Sequence, residues 1–314
     1  MLGEELKQFE RYFSEALISD TPLMTKILAY LVKQKGKQMR SMFVLLCARM
    51  GGEINESAYR AAVFVEMLHT SSLVHDDLID NSSERRGAYS VKALWKNRAA
   101  TWTGDFLFTK SVLLLLSGED HRVLKIFAGA IGKVIEGELL QMEKLSRLNL
   151  DETIYFTIIK GKTATLLAAC CAAGAATTFK ENSPVELLYA FGEKLGIAFQ
   201  IKDDLLDFGN ADIGKPVGND IKEKKVTLPL LYTLNNCNPL LRKKLLKIIK
   251  HKNTDKKSVA FLIEEVKKNG GIDYAEKKML LFRDEALQLL YEFPPSDTRS
   301  ALEELVQYSV GRAY

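Results

Sequence analysis

The 314-residue sequence predicts an all-α protein. Three observations carry that expectation: helix starts marked by small polar residues ahead of a proline, apolar residues recurring three and four apart, and hardly any alternation of period two. In "SDTPLMTKILAYLVK", Ser19, Asp20 and Thr21 precede Pro22, and in "NSPVELLYAFGEKLGIAFQ", Ser183 precedes Pro184. Proline suits the first helical position because the N–H it lacks would have no partner within the helix. Further along, Leu241, Leu245, Ile248 and Ile249, then Phe282, Ala286, Leu289 and Leu290, each trace one face of a helix.

The remaining segments fit the same scheme in order. The opening "MLGEELKQFERYF" is charged and amphipathic where a signal peptide has an unbroken apolar stretch, so export is not expected. "TATLLAACCAAGAATTF", Thr163 to Phe179, carries no charge, yet it is short for a membrane span and built from Ala, Gly and Thr. Small residues suit a helix packed closely inside a soluble bundle, and no transmembrane segment is expected. "FGNADIGKPVGNDIKEKKVTLP", Phe208 to Pro229, is the longest irregular stretch, and a loop of that length in a compact helical protein is expected to be functional. "LRKKLLKIIKHKNTDKK" reads as a solvated basic face. No composition break and no repeat of solenoid period interrupts the chain, so residues 1–314 are expected to form a single domain.

Composition excludes several function classes. With 47% hydrophobic residues there is ample material for a large core. The 44 basic and 40 acidic residues leave a formal charge of +4, too balanced for a protein whose main partner is nucleic acid or an anionic membrane. Cys47, Cys170, Cys171 and Cys237 form no CxxC pair and sit mostly among apolar neighbours, which predicts core thiols in a reducing compartment rather than a zinc site.

The chemistry concentrates in two acidic stretches. "HDDLIDNSSERRG" puts Asp76, Asp77 and Asp80 at one end of a helix, and "FQIKDDLLDF" repeats the spacing with Asp203, Asp204 and Asp207. Like charges one turn apart repel, so they need a cation or solvent. Hard oxygen donors that leave coordination positions open suit Mg²⁺, which commonly bridges carboxylates to a substrate phosphate. Basic residues complete an anion-binding constellation: Lys37 and Arg40 in "KGKQMR", Arg85 and Arg86 after the first triplet, Lys162 with Thr163 in "IIKGKTATL", and Lys215 and Lys225 in the long loop.

These motifs resemble the trans-type prenyl diphosphate synthases, and more closely the long-chain polyprenyl group. The matches run in order through nearly the whole chain: "GKQMR", "VEMLHTSSLVHDD", "DDLIDNSSERRG", "EGELLQM", "KTATLLAA", "FQIKDDLLD" and "GKPVGNDIKEKKVTLPL". The resemblance implies a single large helical bundle of the isoprenoid synthase type around a central substrate cavity. It implies that Asp76, Asp77, Asp80, Asp203 and Asp204 bind Mg²⁺, with Asp207 completing the second motif behind them. Arg85, Lys162, Lys215 and Lys225 would contact an allylic diphosphate, and Lys37, Arg40, His69 and Arg86 would form a metal-free pocket for isopentenyl diphosphate. Lys162, Thr163 and Gln200, with Gln141, would line the reacting centre beside Asp76 and Asp203.

The implied reaction ionises the allylic C–O bond, joins the resulting cation to the double bond of isopentenyl diphosphate, and loses a proton. It needs no protein nucleophile, which agrees with the lack of any Ser-His or Cys-His arrangement. Where many relatives have GGKRxRP this chain has "KGKQMRS", with Gln38 and Ser41 as departures, and Lys224 stands where glycine is usual before Lys225. Ser71 and Ser72, one turn before Asp76, replace the bulky aromatic of short-chain relatives. They are expected to leave a product tunnel open past Leu68 and Met67 towards Phe64, giving a long all-trans product of at least six isoprene units. A short-chain farnesyl or geranylgeranyl synthase is the alternative. A terpene cyclase would have replaced one aspartate motif, and a non-catalytic subunit would have lost one; both are intact. The resemblance further implies a cytoplasmic homodimer that touches the membrane only transiently, for product release.

Overall fold

The computed structural model describes residues 3–34, 36–85, 87–147, 151–209 and 218–311, and is helical almost throughout. Two compact units partition the chain: Met1–Ala128 with Ala169–Tyr189, and Gly129–Ala168 with Ala190–Tyr314.

The first unit begins with α1 (Gly3–Ala16), which buries Phe9 and Phe13 in a ring stack of 5.8 Å. α2 (Pro22–Lys33) starts at the expected proline. α3 (Met39–Gly51) and α4 (Glu56–Ile79) supply the core: Phe43 to Ala48 and Ala61 to Leu68 are buried almost all round. A helix apolar on every side has to be surrounded by others. The Asn55 side chain caps α4 by accepting the Ala58 N–H at 3.0 Å, and Ser90 caps α5 (Val91–Ser117) by accepting that of Ala93 at 3.2 Å. Between α4 and α5 lies a feature the periodicity did not disclose, a hairpin pairing Glu84–Arg85 with Ala88–Tyr89. Strands of two residues are too short to leave an alternating pattern.

The uncharged Ala/Gly/Thr stretch is a core helix as expected. In α8 (Thr165–Ala176) Ala168, Ala169, Cys170, Cys171, Ala173 and Ala175 are buried. A Cβ on Gly174 would overlap the Val44 carbonyl of α3, so glycine is what allows those two backbones to meet. Residues 152–176 are together long and apolar enough to cross a membrane by composition, but half of the most apolar window is buried inside the protein. Cys47, Cys170 and Cys171 are buried free thiols, in line with the sequence reading.

The second unit holds the later part of α6 (His121–Arg147), then α7 (Glu152–Ile159), a π-helical turn (Lys160–Ala164), the later part of α9 (Ser183–Leu206), and α10 to α15: Asn219–Lys222, Leu228–Asn236, Pro239–His251, Lys256–Lys268, Gly271–Tyr291 and Asp297–Gly311. Its core gathers Phe208, Ile221, Leu230, Leu234, Leu245, Ile249, Leu262 and Val266. The buried Ile221 ties the short α10, inside the long irregular segment, to that core; such burial contributes about 1.5–3 kcal/mol. The basic residues Arg242, Lys243, Lys247 and Lys250 of α12 are exposed, the solvated face expected of them.

Candidate active site

In the first unit, the first aspartate motif occupies the carbonyl end of α4. Asp80 closes the helix, its N–H donating to the Asp76 carbonyl at 2.8 Å, and Asn81 leaves it in the left-handed region at φ 54°. Asp76 and Asp80 are exposed on one face, but Asp77 is only 4% exposed and its Oδ1 accepts the Arg85 Nε–H at 2.7 Å. The three carboxylates therefore do not converge as expected. Adjacent residues on a helix point about 100° apart, so a DD pair sends one side chain out and one in. Arg85, expected on a diphosphate, is partnered by Asp77 through Nε, which leaves its two terminal NH₂ groups as donors.

Carboxylates at the C-terminal end of a helix meet the unfavourable end of its dipole, and a bound cation reverses that penalty. The donor set, two exposed hard oxygens one turn apart, fits Mg²⁺ shared with phosphate oxygens and water. Among the described residues, no three His, Cys, Asp or Glu side chains form a closed metal cage.

Lys37 lies just before α3 and is exposed; Arg40, in the helix's first turn, and His69 of α4 are half-buried. Gln38 takes φ 51° as the residue that starts α3. A cavity of about 50 Å³ in this unit is lined by Gln34, Gly36, Gln38, Glu66, Asp77 and Arg85, among others. Arg86 lies outside the described residues.

The expected chain-length residues separate as well. Ser71 is 3% exposed and its hydroxyl donates to the Gly104 carbonyl of α5 at 2.8 Å. Ser72 is exposed, its hydroxyl donating to the carbonyl of His69 at 2.9 Å. Only Ser72 is thus an open position; Ser71 is a packing contact between two helices. Deeper along α4, Leu68 and Met67 are buried, and Phe64 is fully buried with its ring stacked on Phe127 at 4.6 Å.

In the second unit, Lys162 sits on the π-helical turn, and its ammonium donates to both carboxylate oxygens of Glu138 (2.9 and 3.0 Å) and to Gln141 Oε1 (3.2 Å). A π-turn inserts a residue into a helix and re-aims its neighbours. The opposing α6 accommodates it at Gly137, where a Cβ would stand 2.8 Å from the Lys162 backbone nitrogen. That close approach explains the glycine of "EGELLQM".

Thr163 Oγ1 donates to Gln200 Oε1 at 2.7 Å, and Gln200 Nε2 donates to Asp204 Oδ1 at 3.1 Å. Asp204 Oδ2 accepts from the Tyr155 hydroxyl at 2.7 Å and the Leu228 N–H at 3.2 Å. Burial nevertheless pushes the Asp204 carboxyl up to about 7 and holds the Tyr155 phenol well above its ordinary range. Asp203 is half-buried, so the second DD pair also divides into one enclosed and one more open carboxylate.

Asp207 turns elsewhere: it accepts the N–H groups of Asn219 (2.8 Å) and Asp220 (3.1 Å), bracing the start of α10. Lys225 pairs with Glu223 and, at 3.9 Å, with Asp220, whose carboxyl burial and the nearby Asp207 push up to about 6. Sequence reasoning passed over Tyr155 and Asp220, since one lay in an apolar helix and the other in an irregular loop. A cavity of about 140 Å³ within this unit has Lys162, Gln200, Asp204, Asp220 and Lys225 on its polar side and Ile154, Ile158 and Leu231 on its apolar side. Such a lining accepts an anionic head with an apolar chain attached. Lys215 lies outside the described residues.

Comparison with known proteins agrees with this chemistry. The polyprenyl synthetase family model matches residues 21–266. The chain is 35% identical over 310 residues to heptaprenyl diphosphate synthase component 2 of Bacillus subtilis (strain 168), covering 98% of this chain and 88% of that protein. Among solved structures it resembles a decaprenyl diphosphate synthase from Rhodobacter capsulatus (TM-score 0.93, 32% identity, 99% and 96% of the two chains covered). It also resembles a polyprenyl synthase from Caulobacter crescentus CB15 complexed with calcium and isoprenyl diphosphate (TM-score 0.92, 32% identity, 99% and 95% covered).

Proposed function

The chain belongs to the polyprenyl synthetase family, and from that premise we propose that it condenses isopentenyl diphosphate with an allylic diphosphate primer, repeatedly, to give an all-trans polyprenyl diphosphate of at least six isoprene units. The observation that carries this reading is the cavity that joins Lys162, Gln200 and Lys225 to an apolar wall within hydrogen-bonding reach of the second aspartate motif. The heptaprenyl and decaprenyl products named for two of the similar proteins support the long chain.

Asp76, Asp80 and Asp203 are the carboxylates best presented to Mg²⁺, with Asp77 and Asp204 bracing their helix ends and Asp207 bracing the start of α10. When bound, Mg²⁺ neutralises charge on the allylic diphosphate as its C–O bond breaks. The three N–H groups of Lys162 are directed at Glu138 and Gln141, so a diphosphate oxygen would bind by replacing one of these acceptors. Lys225 and Lys215 add cations from the loop, and Arg85 offers its terminal NH₂ groups. These donors stabilise pyrophosphate as it leaves. Gln141, Gln200 and Thr163 border the allylic cation without supplying a nucleophile, and the departing pyrophosphate takes the final proton. Lys37, Arg40, His69 and Arg86 hold isopentenyl diphosphate, helped by the positive end of α3.

On this reading residues 1–314 work as one synthase domain in the cytoplasm, as a homodimer that meets the membrane transiently to release product. Exposed apolar residues on single helix faces support self-association: Trp102, Leu113 and Leu116 on α5, and Ile135, Leu139 and Met142 on α6. A second reading, in which turnover needs a different partner polypeptide, is favoured by the name "component 2" borne by the similar Bacillus protein.

Labelled isopentenyl diphosphate, an allylic primer and Mg²⁺, with products separated by length, test both. Chains of six units or more from the purified protein support the first reading; chains ending at four or fewer sink it. No elongation until a second polypeptide is supplied decides for the partner reading.

A further inference from the structure

The hydrogen bonds around Asp204 assign a role to a residue that no motif singles out. A carboxylate has about four lone-pair directions. On Asp204, Tyr155 and the Leu228 N–H take the two on Oδ2, and Gln200 takes one on Oδ1. The Gln200 amide is in turn fixed by Thr163, whose hydroxyl donates to Oε1 and so directs Nε2 at Asp204. Donors from three pieces of chain meet on this one side chain: α7 through Tyr155, α9 through Gln200 and the start of α11 through Leu228. The π-helical turn joins them indirectly, through Thr163 on Gln200. Two of these segments lead directly to expected diphosphate ligands, since Lys162 precedes Thr163 on the π-turn and Lys225 lies three residues before Leu228.

We propose that Tyr155 is a positioning residue for the reaction: its hydroxyl pins Asp204 inward as a hub that holds Lys162, Gln200 and Lys225 in register, leaving Asp203 as the outward carboxylate of the second motif. The proposal rests on the functional reading above and deepens it. Tyr155 is buried, and its ring meets Phe156 edge-on at 5.3 Å, which holds the phenol in place beside Asp204. Without the hydroxyl, one direction on Oδ2 is vacant. Asp204 then gains freedom to rotate, and both Gln200 and the entry to α11 lose a fixed anchor.

The test is Tyr155→Phe in the full chain, which keeps the ring and removes one oxygen. Removing this buried hydrogen bond predicts a fall in kcat of about 10-fold. KM for isopentenyl diphosphate should stay within about twofold, because its residues lie on other elements. Binding of inorganic pyrophosphate with Mg²⁺, followed by calorimetry, should weaken about 10-fold, and this readout does not depend on turnover. A double-mutant cycle then separates positioning from general destabilisation: Tyr155→Phe should add nothing to Asp204→Asn, whereas independent roles would multiply.

Full additivity overturns the proposal, as does a variant with wild-type kcat and pyrophosphate affinity but a lower Tm. If Tyr155→Phe does not fold, Asp204→Asn alone must weaken Mg²⁺-pyrophosphate binding with KM for isopentenyl diphosphate unchanged, or the hub is wrong. A wild-type protein that elongates while Tyr155→Phe matches it refutes the role of Tyr155 only. A wild-type protein that neither elongates nor binds pyrophosphate refutes the functional reading and this proposal together.

Discussion

The two serines before the first aspartate motif provide a test in which neighbouring substitutions should fail in different ways. Ser72 is exposed on α4 one turn before Asp76, whereas Ser71 is buried with its hydroxyl 2.8 Å from the Gly104 carbonyl of α5. One turn of helix rises about 5.4 Å, close to the length of an isoprene unit. A phenylalanine at position 72 should therefore act as a floor near the metal end and shorten the product to three or four units, with turnover of the first condensations retained. Ser71→Phe should behave as a packing defect. It removes a buried hydrogen bond, about 0.5–1.5 kcal/mol, and forces a ring between two helix backbones, about 1–3 kcal/mol more. The sum, about 2–4 kcal/mol, corresponds to a Tm lowered by roughly 3–6 °C in a protein of this size. Thin-layer separation of labelled products and thermal unfolding followed by circular dichroism read the two effects. If Ser71→Phe keeps its Tm and shortens the chain while Ser72→Phe leaves the product unchanged, the assignment of inward and outward serines is refuted.

Other perturbations address the rest of the site. Asp76→Ala and Asp203→Ala should each lower turnover by orders of magnitude with helical circular dichroism intact; near-normal turnover at limiting Mg²⁺ would reject their assignment as ligands. Arg40→Ala should mainly raise KM for isopentenyl diphosphate and Lys215→Ala mainly that for the allylic primer, and an equal shift of the same KM in both would dismantle the two-pocket scheme. Lys224 adopts φ 60°, which costs a side-chain-bearing residue about 1–2 kcal/mol, so Lys224→Gly should raise Tm by a few degrees; a fall would mean that the side chain stabilises more than the backbone is strained.

That left-handed Lys224 illustrates where sequence and structure part company. Family resemblance marked a glycine as usual at this position, but only the backbone gives the reason, a turn in which the Lys224 N–H bonds the Ile221 carbonyl and that of Lys225 bonds the Asp220 carbonyl. Helix starts at Pro22 and Pro184 were legible because they follow from local chemistry: the proline, and the polar residue before it. The Ala/Gly/Cys core helix was legible because small residues have few other uses at such density. Lys162, Thr163 and Gln200 were legible as a group, and the structure joins the last two directly at 2.7 Å.

The two aspartate motifs were legible as pairs, yet the division of labour inside each pair was not, and the cause is the same in both. A DD step spans about 100° of helix, so if the first aspartate opens towards solvent, the second turns into the protein and there needs donors, because an unpaired buried carboxylate is costly. The chain supplies those donors partly from the same motifs, Arg85 for Asp77 and Gln200 for Asp204, and partly from distant positions, the Tyr155 hydroxyl and the Leu228 amide for Asp204. No spacing rule within the motif could name the two distant ones. The inward aspartates thus tie the ends of α4 and α9 to neighbouring chain segments, which fixes the direction in which Asp76 and Asp203 point. Replacing an inward aspartate should accordingly disturb the site through its donors first, an effect that coupling between Asp77 and Arg85 variants can measure: a non-additive pair supports the bracing role, and strict additivity contradicts it.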